Sequence, residues 1–383
     1  MGCYVNVLCD MRVLCWIMFV LVGVRSDGGG VSSPAPEEES GGGGVPAVFV
    51  LGDSLVDVGN NNHLKLSLAK ADFPHNGIDF PSHKPTGRFT NGKNAADFLS
   101  EKVGLPTSPP YLALLSKNSS AAAFLAGVSF ASGGAGIFDD TDKKYRQSIP
   151  LTSQVDDYER VYGEIVKELG SDAAKARLSK SIFFVVIGSN DIFAYFKSGR
   201  SGSRLRSSST PQRYVDLMAS TLKAQLKRMH GLGGRKFVVA GIGMIGCCPS
   251  QRLKNETGGC HEAENYLSLQ YNQLLTSSLQ QLKSELPDMK YTFFDTYAVL
   301  NNISQKPAAY GFNEVKAACC GLGDLKARVP CLPIASYCSD RRSHLFWDFF
   351  HPTEATARIF VENIFDGPQQ YASPVNVRQL VAL

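Results

Sequence analysis

Four short, largely apolar runs along the chain predict strands that are buried on both faces. Unbroken apolar runs of four to seven residues are typical of parallel strands covered by helices. The four runs are Val48–Leu51, Ser181–Ile187, Lys236–Ala240 and Tyr291–Phe294.

Stretches with helical periodicity lie between and after these runs. Asn94 is expected to cap a short helix that ends at Lys102. Strands that alternate with helices predict one α/β domain, residues 45–383, with helices on both sides of a parallel sheet. The longer amphipathic helices are expected from about Pro211 to Met229, from about His261 to Ser284, and from Thr353 to Phe365 with Ala355, Ile359, Phe360 and Ile364 facing inward.

The first 44 residues are predicted to lie outside this domain. Arg12 precedes a twelve-residue apolar stretch, Val13 to Val24, which is too short to span a bilayer but fits a secretory signal. We expect residues 1–26 to be a signal peptide and residues 27–44, rich in Gly, Pro, Glu and Ser, to be a flexible leader. The mature chain is then expected to be secreted, without a transmembrane anchor.

Charge and cysteine content narrow the class of protein further. The 39 Lys and Arg residues nearly balance the 35 Asp and Glu residues, so no nucleic-acid partner is expected. Seven cysteines follow the predicted signal, and in an oxidising compartment such a cluster indicates disulfides, with at least one thiol left over. Zinc is the competing interpretation, although no Cys-x-x-Cys spacing supports it. N-glycans are possible at the sequons of Asn118, Asn255 and Asn302.

Two stretches far apart in the chain carry candidate chemistry. The first apolar run leads into Gly52-Asp53-Ser54, and ligands bind at the carboxyl ends of strands in open α/β sheets, so Ser54 is expected at the mouth of the sheet. An ordinary strand-to-loop turn would use the same residue types. Asp348 precedes His351 by three residues, a spacing that lets the carboxylate accept the imidazole Nδ1–H and leaves Nε2 to take a proton from a hydroxyl. Without the serine, such a pair would be structural.

Donors for an oxyanion have candidates as well. Gly127–Gly136 is expected to be a short strand that breaks into small residues, which form either a tight turn or a backbone N–H directed at an anion. The backbone N–H groups of Ser54 and Gly134 and the side chain of Asn190 are the candidate donors, and the choice between Gly134 and Gly133 stays open.

Two other site classes are excluded by spacing. The Gly-x-Ser-x-Gly elbow of the α/β-hydrolases is absent. The segment 241–246 has the glycine spacing of a dinucleotide fingerprint, but no periodic helix follows directly, so no nucleotide cofactor is expected.

Four motifs in order resemble those of the GDSL esterase/lipase family, which belongs to the SGNH hydrolases. They are Gly-Asp-Ser-Leu at 52–55, Gly-Val-Ser-Phe-Ala-Ser-Gly-Gly-Ala-Gly at 127–136, Gly-Ser-Asn-Asp at 188–191 and Asp-Phe-Phe-His at 348–351. The sequences Asp-Val-Gly-Asn-Asn at 57–61, Ala-Cys-Cys-Gly at 318–321 and Phe-Trp-Asp at 346–348 resemble the plant branch.

The resemblance implies a fold and a set of roles. The fold is the flavodoxin-like three-layer α/β/α sandwich with a parallel central sheet. Ser54 would be the nucleophile, Asp348 and His351 would complete the triad, and Ser54, Gly134 and Asn190 would form the oxyanion hole. Ser129 departs from the family pattern, which has Asn there, and its hydroxyl is expected to keep one hydrogen bond.

The implied function is that of a secreted serine esterase or lipase of the apoplast or cell wall. It would hydrolyse carboxylic esters, such as acyl lipids or acetylated glycans or metabolites, through an acyl-enzyme. No metal and no organic cofactor are implied. An extracellular acyltransferase that resembles cutin synthases would use the same residues, and a non-catalytic binding protein on the same fold is the alternative of another class.

Overall fold

The computed structural model describes residues 44–117, 119–141, 146–197 and 210–383. The predicted signal peptide, the predicted leader up to residue 43 and the sequon residue Asn118 lie outside the described residues.

The four predicted strands form one sheet and pair in parallel in chain order. Their register is continuous, so that Gly52 lies opposite Val186, and Val186 lies opposite Ala240. The carboxyl ends of the strands therefore meet at one edge, where the loops that follow them converge. The strands are β1 (Val48–Gly52), β2 (Ile182–Val186), β3 (Lys236–Ala240) and β4 (Lys290–Phe294).

The sequence predicted a parallel sheet, and the observed sheet is parallel except for one strand. A fifth strand, Ala372–Pro374, adds to β4 in the antiparallel direction. It has only three residues and lacks the apolar run by which the other strands are recognised. Four short strands, β5 to β8, lie outside the main sheet, and the fifth strand of the main sheet is β9. The short strands are β5 (Glu314–Ala318), β6 (Cys320–Gly321), β7 (Ser336–Tyr337) and β8 (His344–Phe346).

Helices cover both faces of the sheet, which confirms the predicted three-layer α/β/α sandwich. The helices are α1 (Ala95–Lys102), α2 (Tyr111–Ser116), α3 (Leu151–Leu169), α4 (Ser171–Lys180), α5 (Ser189–Phe196), α6 (Pro211–Gly231), α7 (Pro249–Arg252), α8 (Glu262–Glu285), α9 (Thr296–Gln305), α10 (Glu354–Asp366) and α11 (Val377–Ala382).

The alternation of side chains along the strands assigns helices to the two faces. On one face, the rings of Phe49 and Phe183 pack against Tyr158 of α3 with centroids 5.5 and 5.2 Å apart. Helices α3, α6 and α8 lie side by side in this layer. On the other face, Phe294 of β4 packs against Phe360 of α10 at 6.1 Å, and α10 contacts α1.

The predicted helices are confirmed to within two residues at each end, but their neighbours were missed. The structure also contains α3 and α4, and the buried face of α3 includes Val155, Tyr158 and Val161. The expected inward face of α10 was partly right, because Ile364 is buried whereas Ala355, Ile359 and Phe360 are only half-buried. The helix also buries Ala357, Val361 and Phe365.

The predicted short strand in the segment 127–136 is also wrong. The segment runs beside β1 and makes only isolated bridges at Ser129, one to Val50 and one to Pro110, with the Phe130 N–H donating to the Val50 carbonyl at 2.8 Å. The small residues that follow turn away from the sheet. No described helix is both long and apolar enough to cross a membrane.

Six of the seven cysteines form disulfides, which excludes the zinc alternative for these residues. The seventh, Cys248, is a buried free thiol. The pairs are Cys247–Cys260, Cys319–Cys338 and Cys320–Cys331.

Two of the disulfides enclose Trp347, which precedes the candidate aspartate. Trp347 is fully buried in a small cluster with Cys319, Cys320 and Cys331. The Cys320 N–H donates to the Trp347 carbonyl at 2.7 Å, and the indole Nε1–H of Trp347 donates to Asn76 Oδ1 at 3.0 Å. The loop between the cysteines is exposed at its tip, where Ile334 has 77% of its surface accessible.

Replacing Cys320 and Cys331 together by serine is expected to lower the free energy of unfolding by about 3 kcal/mol. The Cys320–Cys331 disulfide closes a loop of 11 residues. Closing a loop of this size lowers the conformational entropy of the unfolded chain, which stabilises the folded state by about 3 kcal/mol. Equilibrium unfolding in urea measures the change. The matched control is Cys248→Ala, which breaks no disulfide and is expected to cost less. Equal stability of the double variant and the wild type would contradict the prediction.

Candidate active site

Ser54, His351 and Asp348 are joined by an unbroken path of hydrogen bonds. Ser54 Oγ lies 2.8 Å from His351 Nε2, and His351 Nδ1 lies 2.8 Å from both carboxylate oxygens of Asp348. Ser54 stands two residues beyond the last residue of β1, at the mouth of the sheet. The structure therefore brings the three predicted residues together.

A tight turn before α10 fixes the aspartate and the histidine relative to each other. Asp348 Oδ1 accepts the backbone N–H groups of Phe350 and His351, each at 2.8 Å. The Trp347 N–H closes the turn by donating to the His351 carbonyl at 2.8 Å. The carboxylate is thus held in place by backbone donors as well as by its contact with the imidazole.

The irregular loop from residue 73 to residue 94 holds this turn in place by hydrogen bonds. The Thr90 hydroxyl donates to the Pro352 carbonyl at 3.0 Å. The N–H of Glu354 donates to Asn91 Oδ1 at 2.9 Å, and the Glu354 carboxylate accepts the Lys93 N–H at 3.0 Å. The loop therefore supports the turn that carries His351.

Phe89, from the same loop, packs on the imidazole. The centroids of the Phe89 and His351 rings lie 5.1 Å apart. On another side, the Phe350 ring packs against Phe193 at 5.0 Å. These rings limit the access of water to the imidazole, which strengthens its hydrogen bonds.

The N–H of Gly133 is already hydrogen-bonded to Asp57. The Gly133 N–H donates to Asp57 Oδ2 at 3.0 Å, while Asp57 Oδ1 accepts the N–H groups of Gly59 and Asn60, each at 2.8 Å. Burial raises the pKa of Asp57 to about 6, and the backbone donors act in the opposite direction. The Asp-Val-Gly-Asn-Asn motif at 57–61 could have indicated that Asp57 is a hydrogen-bond acceptor, but nothing in the motif identifies Gly133 as its donor.

The backbone N–H groups of Ser54 and Gly134 have no acceptor among the described residues. Gly134 has φ 82°, in the left-handed region that favours glycine, and it lines the same cavity as Ser54. Gly133 does not line this cavity.

Asn190 lies at the start of α5, after the second strand, and lines the same cavity. Its Nδ2 donates one hydrogen to the Ala135 carbonyl at 2.9 Å, which leaves the second hydrogen of the amide for a ligand. The next residue, Asp191, is buried, and burial raises its pKa to about 6. Its carboxylate accepts the N–H groups of Ile137 and Phe138 and the Thr141 hydroxyl, so that α5 is joined to the segment that follows Gly136.

Asp53, beside Ser54, is a buried carboxyl group with an unusual environment. Its Oδ1 accepts the Leu55 N–H at 3.0 Å, whereas its Oδ2 has no partner among the described residues. Burial raises the pKa of Asp53 to about 7, against the opposing effects of the Leu55 N–H and His351.

The expectation for Ser129 is wrong. Its Oγ is buried and has no hydrogen-bond partner in the described part of the chain. The loop is held instead by Asn60, whose Nδ2 donates to the carbonyls of Ser129 and Ala131 at 2.8 and 2.9 Å. The backbone around Ser129 is therefore fixed from the neighbouring loop.

A cavity of about 310 Å³ opens at the site. Its walls are mainly apolar, and they include Phe73, Leu300 and Leu332 besides the residues already described. Cys248 also lines it, and its thiol donates to the Phe350 carbonyl at 3.6 Å. Burial raises the pKa of the Cys248 thiol, so this group stays protonated. Within the described ranges, no group of three or more His, Cys, Asp or Glu side chains could hold a metal ion.

The chain is similar to known proteins over most of its length. Residues 48–364 match the model of the GDSL-like lipase/acylhydrolase family. A GDSL esterase/lipase of Arabidopsis thaliana is 52% identical over 344 residues, which are 88% of this chain and 90% of the relative. A second one from Arabidopsis is 37% identical over 326 residues, 85% of this chain and 90% of that relative.

Among solved structures, a mutant of the acetyl-xylooligosaccharide esterase Axe2 from Geobacillus matches with 13% identity and a TM-score of 0.36, over 83% of this chain and 91% of that one. The assignment rests on the family model and the relatives. The chain belongs to the GDSL-like lipase/acylhydrolase family and is a carboxylic ester hydrolase of the GDSL esterase/lipase class.

Proposed function

We propose that the protein is a secreted serine hydrolase that cleaves its ester through an acyl-enzyme on Ser54. The observation that carries the proposal is the hydrogen-bond path from Ser54 Oγ through the imidazole of His351 to Asp348, with each step 2.8 Å long. A serine hydroxyl becomes an effective nucleophile when a neighbouring base takes its proton. Hydrolysis is proposed before transfer to another alcohol because the matching family is described as lipase/acylhydrolase.

His351 moves one proton in each half of the reaction. Ser54 Oγ attacks the ester carbonyl carbon while its proton passes to His351 Nε2. The tetrahedral intermediate then collapses, and the leaving alcohol takes this proton from Nε2. A water molecule attacks the acyl-enzyme in the same way, which releases the carboxylic acid and restores the Ser54 hydroxyl.

Asp348 holds the imidazole in the tautomer that this scheme needs. Its carboxylate accepts the Nδ1–H, so that Nε2 carries the lone pair facing Ser54. The same carboxylate stabilises the imidazolium that forms when Nε2 is protonated.

The oxyanion is proposed to bind the N–H groups of Ser54 and Gly134 and the Nδ2 of Asn190. Gly134 is preferred to Gly133 because the Gly133 N–H already donates to Asp57. Donors fixed before the reaction stabilise the developing charge without rearrangement, which is why each contributes strongly to the rate.

Export is proposed from two features. Three disulfides form in the described part of the chain, and disulfides persist in oxidising compartments. The N-terminal sequence has the pattern of a secretory signal. Of the described sequon residues, Asn302 already donates its Nδ2 to the hydroxyls of Tyr310 and Tyr371 at 2.6 and 2.8 Å. A glycan is therefore more compatible with Asn255, which lies on a turn and whose Nδ2 donates only to the Cys260 carbonyl, at 3.2 Å, among the described residues, so that one amide hydrogen stays free.

Ser54→Ala is expected to lower kcat/KM for p-nitrophenyl esters by about 10⁴-fold or more, because the acyl-enzyme cannot form. The matched control is Ser129→Ala, the same change at a buried hydroxyl that has no partner among the described residues. This control should keep wild-type activity. Full activity in the Ser54 variant would disprove the acyl-enzyme on this residue.

Asn190→Ala is expected to lower kcat by about 10²- to 10³-fold, with a smaller change in KM, because one oxyanion donor is lost. Steady-state kinetics with p-nitrophenyl acetate measure both constants. Thermal unfolding is followed in parallel, because Asn190 also binds the Ala135 carbonyl. An unchanged kcat in a folded variant would remove Asn190 from the oxyanion site.

Asp53→Asn is expected to reduce the loss of stability between pH 5 and pH 8. The pKa of Asp53 is raised from 3.8 to about 7, so the folded protein keeps a proton there that the unfolded chain releases above about pH 4. This contribution is fully present below about pH 4 and is lost as the pH rises through about 7. The asparagine variant stays neutral throughout and lacks this loss.

Urea unfolding at pH 5 and pH 8 tests this expectation. The control is Asp172→Asn, which changes an exposed carboxyl group and should keep the wild-type difference between the two pH values. The expectation fails when the Asp53 variant shows the same pH dependence as the wild type.

A further inference from the structure

Lys70 brings a positive charge to the wall of the cavity of about 310 Å³ that opens at Ser54, which we call the active-site cavity. Among the described residues that line it, Lys70 and His351 carry the only basic side chains. The carboxyl groups in the same lining, Asp53 and Asp348, belong to the turns at Ser54 and His351. The ammonium group of Lys70 contacts no carboxylate in the described part of the chain, so none of these residues neutralises its charge.

Two backbone carbonyls fix the position of this ammonium group. Lys70 Nζ donates to the carbonyl of Asn61 at 2.5 Å and to that of Asn62 at 3.2 Å. Both carbonyls belong to a single turn of 3₁₀-helix, Asn60–His63, so the lysine caps that turn. An ammonium group has three hydrogens, and the third has no acceptor among the described residues. Capping therefore holds the charge in place and leaves one donor for a ligand.

Asn76 supplies a second donor to the same cavity. It lines the cavity and is buried, with 5% of its surface exposed. Its Oδ1 accepts the indole Nε1–H of Trp347 at 3.0 Å, and this bond decides which end of the amide is the oxygen. Its Nδ2 makes one long hydrogen bond, to the Phe73 carbonyl at 3.5 Å. One hydrogen of a buried amide is thus left without an acceptor in the described ranges, which is uncommon in folded proteins.

Both donors lie on a wall that is otherwise apolar. The segment 68–76 contributes Leu68, Ala69 and Phe73 to the lining of the cavity besides Lys70 and Asn76. Apolar surroundings strengthen the electrostatic interactions of a bound group. One ammonium group and one amide N–H match a group with a single negative charge and two acceptor oxygens, which is a carboxylate.

Resting on the proposed acyl-enzyme function, we propose that Lys70 and Asn76 form a binding subsite for a carboxylate of the substrate. The enzyme then acts on esters that carry a free carboxylate besides the ester bond, such as half-esters of dicarboxylic acids or esters of hydroxy acids. The ammonium group of Lys70 and the Nδ2 of Asn76 hold the carboxylate while Ser54 attacks the ester carbonyl. Neither residue transfers a proton, so the subsite orients the ester and leaves the chemical steps unchanged.

Matched pairs of esters that differ in one charge test the proposal. In the first pair the charge is on the acyl half, with mono-p-nitrophenyl adipate against p-nitrophenyl hexanoate. In the second pair it is on the alcohol half, with 4-acetoxybenzoate against 4-acetoxybenzamide. The quantity measured is the ratio of kcat/KM for the anionic ester to kcat/KM for its neutral partner. Differences in intrinsic reactivity within a pair cancel when this ratio is compared between variants of the full-length enzyme.

Lys70→Met is expected to lower the ratio by about tenfold in at least one pair, because a hydrogen bond to a charged group is lost. Lys70→Arg keeps a cation and should retain most of the wild-type ratio. The matched control is Lys65→Met, the same change at an exposed lysine that does not line the cavity. Added salt should lower the wild-type ratio and leave that of Lys70→Met nearly unchanged, since screening acts on the charge that this variant lacks.

Asn76→Asp tests the second donor. The aspartate can still accept the indole N–H of Trp347, but it presents a carboxylate oxygen where the Nδ2 stood. The ratio is expected to fall in the same pair of esters as for Lys70→Met. The neutral ester is the internal control for folding in every variant, because structural damage lowers the activity on both members of a pair together.

The outcomes separate this proposal from the one on which it rests. A fall of the ratio in the acyl pair assigns the carboxylate to the acid, and a fall in the alcohol pair assigns it to the alcohol. A ratio that Lys70→Met leaves unchanged in both pairs would overturn the subsite, with Lys70 as a cap only and Ser54 still the nucleophile. A ratio that Asn76→Asp alone leaves unchanged would remove Asn76 from the subsite. A folded wild type that hydrolyses none of the four esters would overturn both proposals.

Discussion

The hydrogen bond between Ser54 and His351 is the interaction on which the rest of this structure depends, because it joins residues 297 positions apart. The serine is fixed by its place after β1, all of whose residues are buried. The histidine has no strand of the main sheet to hold it. Its turn is anchored instead by the loop of residues 73–94 and by Trp347, which two disulfides enclose. Irregular backbone thus provides the precision that the relay needs.

Buried carboxyl groups organise the loops around the serine. Asp57 accepts the N–H of Gly133, and Asp191 accepts those of Ile137 and Phe138, so the backbone is fixed on both sides of Gly134. Burial raises the pKa of both groups, so their ionised forms depend on those donors. The arrangement leaves the N–H of Gly134 pointing to no described acceptor, while that of its neighbour is committed. Electrostatic stabilisation of the loop and the availability of a donor are therefore two results of one network.

Much of the fold could be predicted from local patterns, because an apolar run or an apolar stripe at helical spacing indicates which residues of that segment are buried. The four main strands and the spacing of Asp348 and His351 are signals of this kind. The acceptor of the Gly133 N–H and the partner of Asn60 depend on contacts between segments about 70 residues apart, and no local pattern names them. Ser129 shows the same limit, because the residue type allows a hydrogen bond that its surroundings do not supply.

The exposed loop between Cys331 and Cys338 gives the chain a particular response to proteolysis. Ile334 at its tip is open to a protease, and a cut there separates the segment with Ser54 from the segment with His351. The Cys319–Cys338 disulfide bridges the cut, so the two fragments stay covalently joined. The nicked protein would keep its relay until a reductant opened that bond, and only then could the fragment that carries the base diffuse away.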